Sequence, residues 1–119
     1  MSERSDFDNQ LQGHSARNTR LLDDLSARGV PLDEARNVEL HFWAAGQANA
    51  AQLALELYKK GYLVLCLAPA QAANNVGRWN IEAGAKLNPK QVADETLVKD
   101  LIGLSILCSG TYDGWGTSV

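Results

Sequence analysis

The side chains that could do chemistry are few, and their spacing does not assemble a catalytic or metal site. The chain has two histidines, His14 and His41, and two cysteines, Cys66 and Cys108, and none stands in the C-x-x-C or H-x-x-x-H relation typical of zinc ligands. No serine lies in a G-x-S-x-G elbow, and no glycine cluster has phosphate-loop spacing. The sequence therefore predicts a protein that is not an enzyme, with no catalytic residue, no metal and no cofactor.

The overall composition narrows the classes of partner. The formal net charge is -3 and the pI is near 5.2, which disfavours direct nucleic-acid binding because that needs a basic patch for the phosphates. No apolar run approaches the ~20 residues of a membrane span, and the opening MSERSDFDNQ lacks the apolar region of a signal peptide. We expect a cytoplasmic protein whose cysteines, set in apolar stretches, are reduced core thiols.

Hydrophobic periodicity predicts a single domain over residues 15–119, after a polar N-terminus, 1–14, that is either frayed or an early helical turn. A first helix runs from about Ser15 and ends at Gly29, a typical C′ residue. RNVELHFW alternates as a strand does, and a second helix spans about 47–60. The apolar run YLVLCLA and the alternating GRWNIEAGA predict two further strands, joined by a loop in which Asn74-Asn75 supplies turn chemistry.

Asn88-Pro89 predicts the start of the last helix, with Asn88 as N-cap and Gln91 completing a capping box. This helix is expected to continue until Gly110. The element order α-β-α-β-β-α indicates an α+β fold of the ferredoxin-like, split βαβ kind. We expect a small three-stranded antiparallel or mixed sheet with the third strand between the first two, and the second and third helices packed on one face.

The alternation on the first strand predicts which face of the sheet meets a partner. If Val38, Leu40 and Phe42 face the helices, then Glu39, His41 and Trp43 face the other side, together with Arg78, Asn80 and Glu82 on the third strand. We take His41, Trp43 and Arg78 as candidate partner-binding residues. The alternative is that the first helix covers this face. The apolar LIGLSILC of the last helix leaves a homodimer open as well, against simple packing on the middle helix.

The terminal GTYDGWGTSV crowds two aromatic rings around an Asp-Gly turn dipeptide. Asp113-Gly114 predicts a two-residue reversal with Tyr112 and Trp115 flanking it. Two interpretations stay open. The rings are buried against the chain's own sheet or a helix end, or Tyr112, Asp113 and Trp115 form a hot spot for a protein partner.

With these residues in place, the sequence resembles the RraB family, regulators of ribonuclease E activity. The resemblance is carried by TYDGWGTSV, GYLV, VELHFWA and RNTRLLDDLSARGVPLDEAR, and its specific signature is Tyr112, Asp113, Gly114, Trp115, Gly116 and Thr117. It implies a compact, non-catalytic α+β domain. It also implies a protein that binds ribonuclease E outside the catalytic part and restrains RNA decay.

The resemblance has one departure. Family members of the enterobacterial type continue past the signature into a long acidic tail, whereas this sequence ends at Val119. If that tail helps to recognise a basic partner segment, we expect weaker binding here or a different partner. The alternatives are an RraB-like inhibitor or immunity-type protein with another protein partner, and a small-molecule-sensing domain.

Overall fold

The computed structural model describes residues 3–70 and 77–118, with side chains from residue 6 onwards. Along these ranges the elements occur in the order α1 (Glu3–Ala27), β1 (Arg36–Ala45), α2 (Gly46–Lys59), β2 (Leu63–Pro69), β3 (Arg78–Leu87), α3 (Pro89–Val92), α4 (Glu95–Leu107) and β4 (Gly110–Thr117). The fold is α+β, as predicted. The predicted turn at Asn74-Asn75 lies outside the described residues.

The sheet is antiparallel and has four strands in the order β2-β3-β1-β4. β3 lies between β1 and β2, so the β1-α2-β2 unit is split in the way the element pattern predicts. The expected three-stranded sheet is wrong, because Gly110–Thr117 adds a fourth strand on the other side of β1. The Asp-Gly dipeptide that favours a turn is instead accommodated as an irregularity within this strand.

The first helix is longer than its sequence pattern indicates. α1 begins at Glu3 rather than near Ser15, so residues predicted as a polar N-terminus belong to the helix. Phe7 and Leu11 pack against the core from this added segment. Because only one narrow side of α1 is apolar, its early turns depend on packing against the rest of the domain.

The segment after Asn88 also differs from its prediction. The capping box is present, since the Asn88 side chain accepts from the Gln91 N–H at 2.8 Å and the Gln91 side chain accepts from the Asn88 N–H at 2.9 Å. The helix it starts ends at Val92. Asp94 then caps α4 through a bond to the Thr96 N–H at 3.1 Å, so one expected helix becomes two.

The core lies on one face of the sheet, under α2 and α4. Val38, Leu40 and Phe42 are buried there, as the alternation on β1 predicts. β3 and the two helices contribute most of the other core side chains: Ile81, Ala83, Ala50, Leu53, Ala54, Leu57, Val98, Leu101 and Ile102. The apolar second half of α4 is therefore largely explained by packing within the chain.

Candidate partner-binding surface

The face of the sheet opposite the helices is open, and it carries the residues that the alternation placed there. His41 pairs with Glu82 on β3 and Trp43 pairs with Asn80, so these side chains share one side of the sheet. Glu39 on the same side is exposed. The helices of the described residues lie elsewhere. α1 packs against α4 and the outer edge of β4, so it does not cover this face.

Two contacts organise the centre of the open face. The Arg78 guanidinium carbon lies 3.7 Å from the centre of the Trp43 ring, in cation–π geometry. His41 Nδ1 lies 3.5 Å from Glu82 Oε1, with both side chains a little over one-third exposed. The three residues singled out from the sequence, His41, Trp43 and Arg78, therefore lie on one continuous surface. Together with Glu82 they present an aromatic ring and side chains of both charge signs to solvent.

The terminal segment is a strand with a bulge, and the predicted reversal at Asp113-Gly114 is wrong. Phe42 pairs with Tyr112 and His41 pairs with Gly114, which leaves Asp113 without a partner on β1. Gly114 has a φ of +118°, a backbone conformation that residues other than glycine rarely adopt. The bulge replaces the turn because β4 remains paired with β1 on both sides of it.

The bulge explains why two aromatic side chains three residues apart face the same way. Tyr112 pairs with Phe42 and Trp115 pairs with Leu40, and both partners face the core. Tyr112 is 1% exposed and Trp115 is 7% exposed. In a regular strand, residues three apart face opposite sides, so without the bulge one of the two rings would point to the open face. Both rings belong to the chain's own core.

Contacts with α1 hold these rings in place. The His14 ring stacks on Tyr112 with centroids 4.7 Å apart, and Phe42 lies 5.1 Å from Tyr112. The Trp115 indole N–H donates to the Asn18 side-chain oxygen at 2.8 Å, and both residues are buried. Burial also raises the pKa of the Tyr112 hydroxyl. The signature therefore joins α1 to the last strand.

A polar network closes this junction at the edge of β4. His14 Nε2 donates to the Tyr112 carbonyl at 2.9 Å, and His14 Nδ1 accepts from Arg17 at 3.1 Å. Arg17 also donates to the Asp113 carbonyl at 3.2 Å. Burial and the Arg17 charge lower the pKa of His14, while its bond to Tyr112 and the Asp113 carboxylate oppose the shift. The lowered pKa favours the neutral form of the His14 ring.

The remaining signature residues also have structural roles. The Thr117 hydroxyl donates to the Asn37 carbonyl at 2.7 Å and accepts from Arg36 at 3.0 Å, which fastens the end of β4 to β1. A Cβ on Gly110, just before the signature, would lie 2.4 Å from the Trp43 carbonyl. Asp113 is the signature residue that remains exposed. It borders a groove of about 210 Å³ that also involves His41 and Trp43.

His14, Arg17 and Asn18 were not identified as site residues from the sequence. A usable signal was present in the spacing. Positions 7, 11, 14, 18, 21 and 25 advance by three or four residues and therefore lie on one side of a helix. Its four apolar positions hold Phe7, Leu11, Leu21 and Leu25, and its two polar positions hold His14 and Asn18. Polar residues at apolar positions of such a stripe indicate partners elsewhere in the fold, here Tyr112 and Trp115 on the last strand.

The part of the chain that the structure describes contains no group of three His, Cys, Asp or Glu residues able to hold a metal ion. Within the same residues, no helix combines the length and apolar character needed to cross a bilayer.

The two cysteines differ in exposure. Cys108 is buried, and burial raises the pKa of its thiol, whereas Cys66 on β2 is partly exposed. The open face presents the Trp43–Arg78 pair and the neighbouring His41 and Glu82 side chains.

Comparison with known families supplies an independent result. Residues 15–117 match the family described as Regulator of ribonuclease activity B, which covers nearly the whole chain and the complete Tyr112–Thr117 signature. A search of curated proteins finds no match.

Proposed function

This chain belongs to the RraB family, and from that premise we propose that it is a non-catalytic regulator that binds and inhibits ribonuclease E or a similar endoribonuclease. The family description supports a role in regulating ribonuclease activity. The identity of the nuclease and the contact surface are our proposal. Inhibition would be steric or would act through assembly, with the protein restraining RNA decay without itself reacting with RNA.

The observation that carries the proposal is the open face of the sheet around Trp43 and Arg78. Tryptophan and arginine dominate the binding energy of many protein interfaces, because they bury a large area and make directional polar contacts. Here the 3.7 Å contact between them orders the two side chains before a partner arrives. Side chains already held in place lose less conformational entropy on binding.

The charges around this pair favour a protein partner over RNA. His41 and Glu82 are paired next to Trp43, and the chain carries a net charge of -3. A surface of this kind lacks the basic field that gathers phosphates. It suits a protein segment of mixed or positive charge, for which rim charges set the association rate and the register.

The signature has a different part in the proposal. Tyr112 and Trp115 are buried, so they act by fixing the position of the bulge. Asp113 is exposed at that bulge, beside His41 and Trp43, and extends the proposed contact surface towards β4. We therefore assign direct contacts to His41, Trp43, Arg78 and Asp113, and a supporting role to the two buried aromatic residues.

A binding titration with purified full-length ribonuclease E tests the proposal. We expect saturable binding and a slower decay of a structured RNA. Trp43→Ala and Arg78→Ala should each weaken binding at least tenfold, as truncation of a hot-spot residue does. Lys99→Ala is the matched control, because Lys99 is an exposed cation on α4 that pairs with Glu95 four residues away and lies away from the open face.

Retention of the fold in each variant is checked by circular dichroism and thermal unfolding. Absence of binding by the wild-type protein would sink the assignment to ribonuclease E. Equal binding by Trp43→Ala, Arg78→Ala and Lys99→Ala would move the contact surface away from the open face. Binding to a toxin instead of the nuclease would support the alternative of an immunity-type inhibitor.

A further inference from the structure

A cavity of about 160 Å³ lies between α1 and the outer strand β4. Its wall is formed by His14, Arg17 and Asn18 on α1, by His41 on β1 and by the Asp113–Trp115 segment of β4. His14 and Asn18 are 3% and 5% exposed. A single water needs on the order of 10–15 Å³ of such space, so this cavity has room for a small polar ligand of several atoms.

The Arg17 guanidinium brings a positive charge to the cavity. It donates to the Asp113 carbonyl at 3.2 Å and to His14 Nδ1 at 3.1 Å. Both acceptors are uncharged, since an imidazole nitrogen that accepts carries no proton. Within the described residues Arg17 forms no ion pair, not even with the exposed carboxylate of Asp113. The contacts therefore hold the guanidinium in place without compensating its charge, and some of its five N–H donors remain available.

The Asn18 amide supplies a second donor. Its side-chain oxygen accepts from the Trp115 indole N–H at 2.8 Å, which fixes the orientation of the amide because an indole only donates. In the part of the chain that the structure describes, the Asn18 NH₂ group has no hydrogen-bond partner. A buried donor without an acceptor costs free energy. The cavity that Asn18 borders is a place where a ligand can supply that acceptor.

Two signature glycines lie next to the nitrogen-bearing side chains of the cavity. A Cβ on Gly114 would lie 3.8 Å from the Arg17 guanidinium, and one on Gly116 would lie 3.8 Å from His41 Nε2. His41 Nδ1 lies on the other side of its ring, 3.5 Å from Glu82. Side chains longer than alanine at either glycine would crowd these groups, so the glycines keep them accessible.

We propose that this cavity binds one small oxyanion, a phosphate or a carboxylate, between α1 and β4. Arg17 and Asn18 donate to its oxygen atoms, and His41 Nε2 borders the site from β1. Hydrogen bonds from a guanidinium to an anionic oxygen are roughly twice as strong as bonds between neutral groups. The bound anion compensates the charge of Arg17 and satisfies the Asn18 amide. It also adds a bridge between α1 and β4 beside the bulge at Asp113.

An NMR titration of the ¹⁵N-labelled full chain tests the proposal, with inorganic phosphate and acetate added separately at constant pH and ionic strength. We expect saturable shifts of the Asn18 side-chain amide and Arg17 Nε–H signals. Saturation by phosphate alone identifies a site for a tetrahedral anion, and saturation by acetate alone identifies a site for a planar one. Sodium chloride at the same ionic strength is the reference and should produce no saturable shift.

Two variants test the assigned donors. Asn18→Asp keeps an oxygen acceptor for the Trp115 indole N–H but replaces the amide donor with a negative charge. Arg17→Gln removes the cation. Each should weaken anion binding at least tenfold, because a charge-assisted contact is lost or opposed. Arg20→Gln is the matched control, since Arg20 is an exposed cation of α1 outside the cavity lining, and it should bind as the wild type does.

Circular dichroism and thermal unfolding without added anion establish that each variant is folded. The proposal is overturned if neither anion gives a saturable shift in the wild-type protein. Equal affinities of the wild type, Arg17→Gln and Asn18→Asp also overturn it. A loss in Arg20→Gln as large as that in Arg17→Gln would show general attraction to a cationic helix in place of a site. These measurements contain no nuclease, so their outcome is separate from that of the proposed function.

Discussion

At the β4 edge of the sheet, side chains of α1 contact the backbone of the outer strand, whereas the β2 edge exposes a row of leucines. His14 and Arg17 donate to the carbonyls of Tyr112 and Asp113. On β2, Leu63 is 64% exposed. Natural sheets usually protect their edges against unwanted pairing. The two edges are protected differently: α1 covers the backbone of β4, whereas β2 carries a bulge between Val64 and Cys66.

The two edges should therefore respond differently to substitution. The β4 edge is part of the folding unit, so its side chains should contribute to the free energy of unfolding. The exposed side chains of the β2 edge should contribute little to the free energy of unfolding. The following experiments test that difference, starting with the largest expected effect.

Trp115→Ala should lower the free energy of unfolding by roughly 2–4 kcal/mol, because it removes a buried aromatic ring from the core beside α1. Urea unfolding measures the change. Trp43→Ala is the matched comparison on the open face, and its loss should be about 1 kcal/mol or less, near the value of a cation–π contact. Equal losses for the two tryptophans would contradict the assignment of Trp115 to structure and of Trp43 to the surface.

Asn18→Ala should lower the free energy of unfolding by about 1–3 kcal/mol, since the buried Trp115 indole N–H loses its acceptor. Asn80→Ala, on the exposed side of β3, should change it by less than about 0.5 kcal/mol. Both values come from urea unfolding at neutral pH. If Asn18→Ala proves as mild as Asn80→Ala, the α1–β4 hydrogen bond is not a stabilising contact.

Stability should fall as the pH is lowered below about 6.5, the ordinary pKa of histidine, because the folded state lowers the pKa of His14. With the folded pKa below the unfolded one, the unfolded chain binds the proton first, and the stability that the neutral ring contributes is lost as the pH falls towards the folded pKa. Thermal unfolding between pH 8 and pH 5 measures this. His14→Gln should flatten the dependence of stability on pH in this range. His41→Gln is the control and should leave the His14 contribution in place. An unchanged slope in His14→Gln would contradict the role of His14 in this pH dependence.

Leu63→Lys should change the free energy of unfolding of the monomer by no more than about 0.5 kcal/mol, as expected for an exposed side chain away from the core. The measurement is urea unfolding at concentrations where the protein is monomeric. A loss comparable to that of Trp115→Ala would mean that the β2 edge is part of the folding unit, and the contrast between the edges would fail.

Local patterns in the sequence were sufficient for much of the fold. Alternation along β1 assigned Val38, Leu40 and Phe42 to the core and Trp43 to the other face, because the side chains of a strand alternate whatever it pairs with. The Asn88 capping box was equally readable, since both of its hydrogen bonds join residues three apart. Helix α2 and β2 lie within one or two residues of their predicted positions.

Contacts between distant residues produced the differences. Asp113-Gly114 favours a turn when considered alone, and pairing with β1 made it a bulge within a strand. The early turns of α1 look polar in sequence and become ordered by packing of Phe7 and Leu11. The break at Asp94 is an exception, because it comes from a local cap on the Thr96 N–H that the apolar pattern around it had concealed.

The sequence by itself determined the α+β class, the split β1-α2-β2 unit, the two faces of β1 and, through Tyr112–Thr117, the family. These properties depend on the order and period of neighbouring residues. Only the tertiary structure decided that Tyr112 and Trp115 are buried against His14 and Asn18, and that one sheet edge is covered while the other is exposed. Those outcomes depend on contacts between segments almost 100 residues apart. The free energy of such contacts cannot be read from the local sequence pattern of either segment.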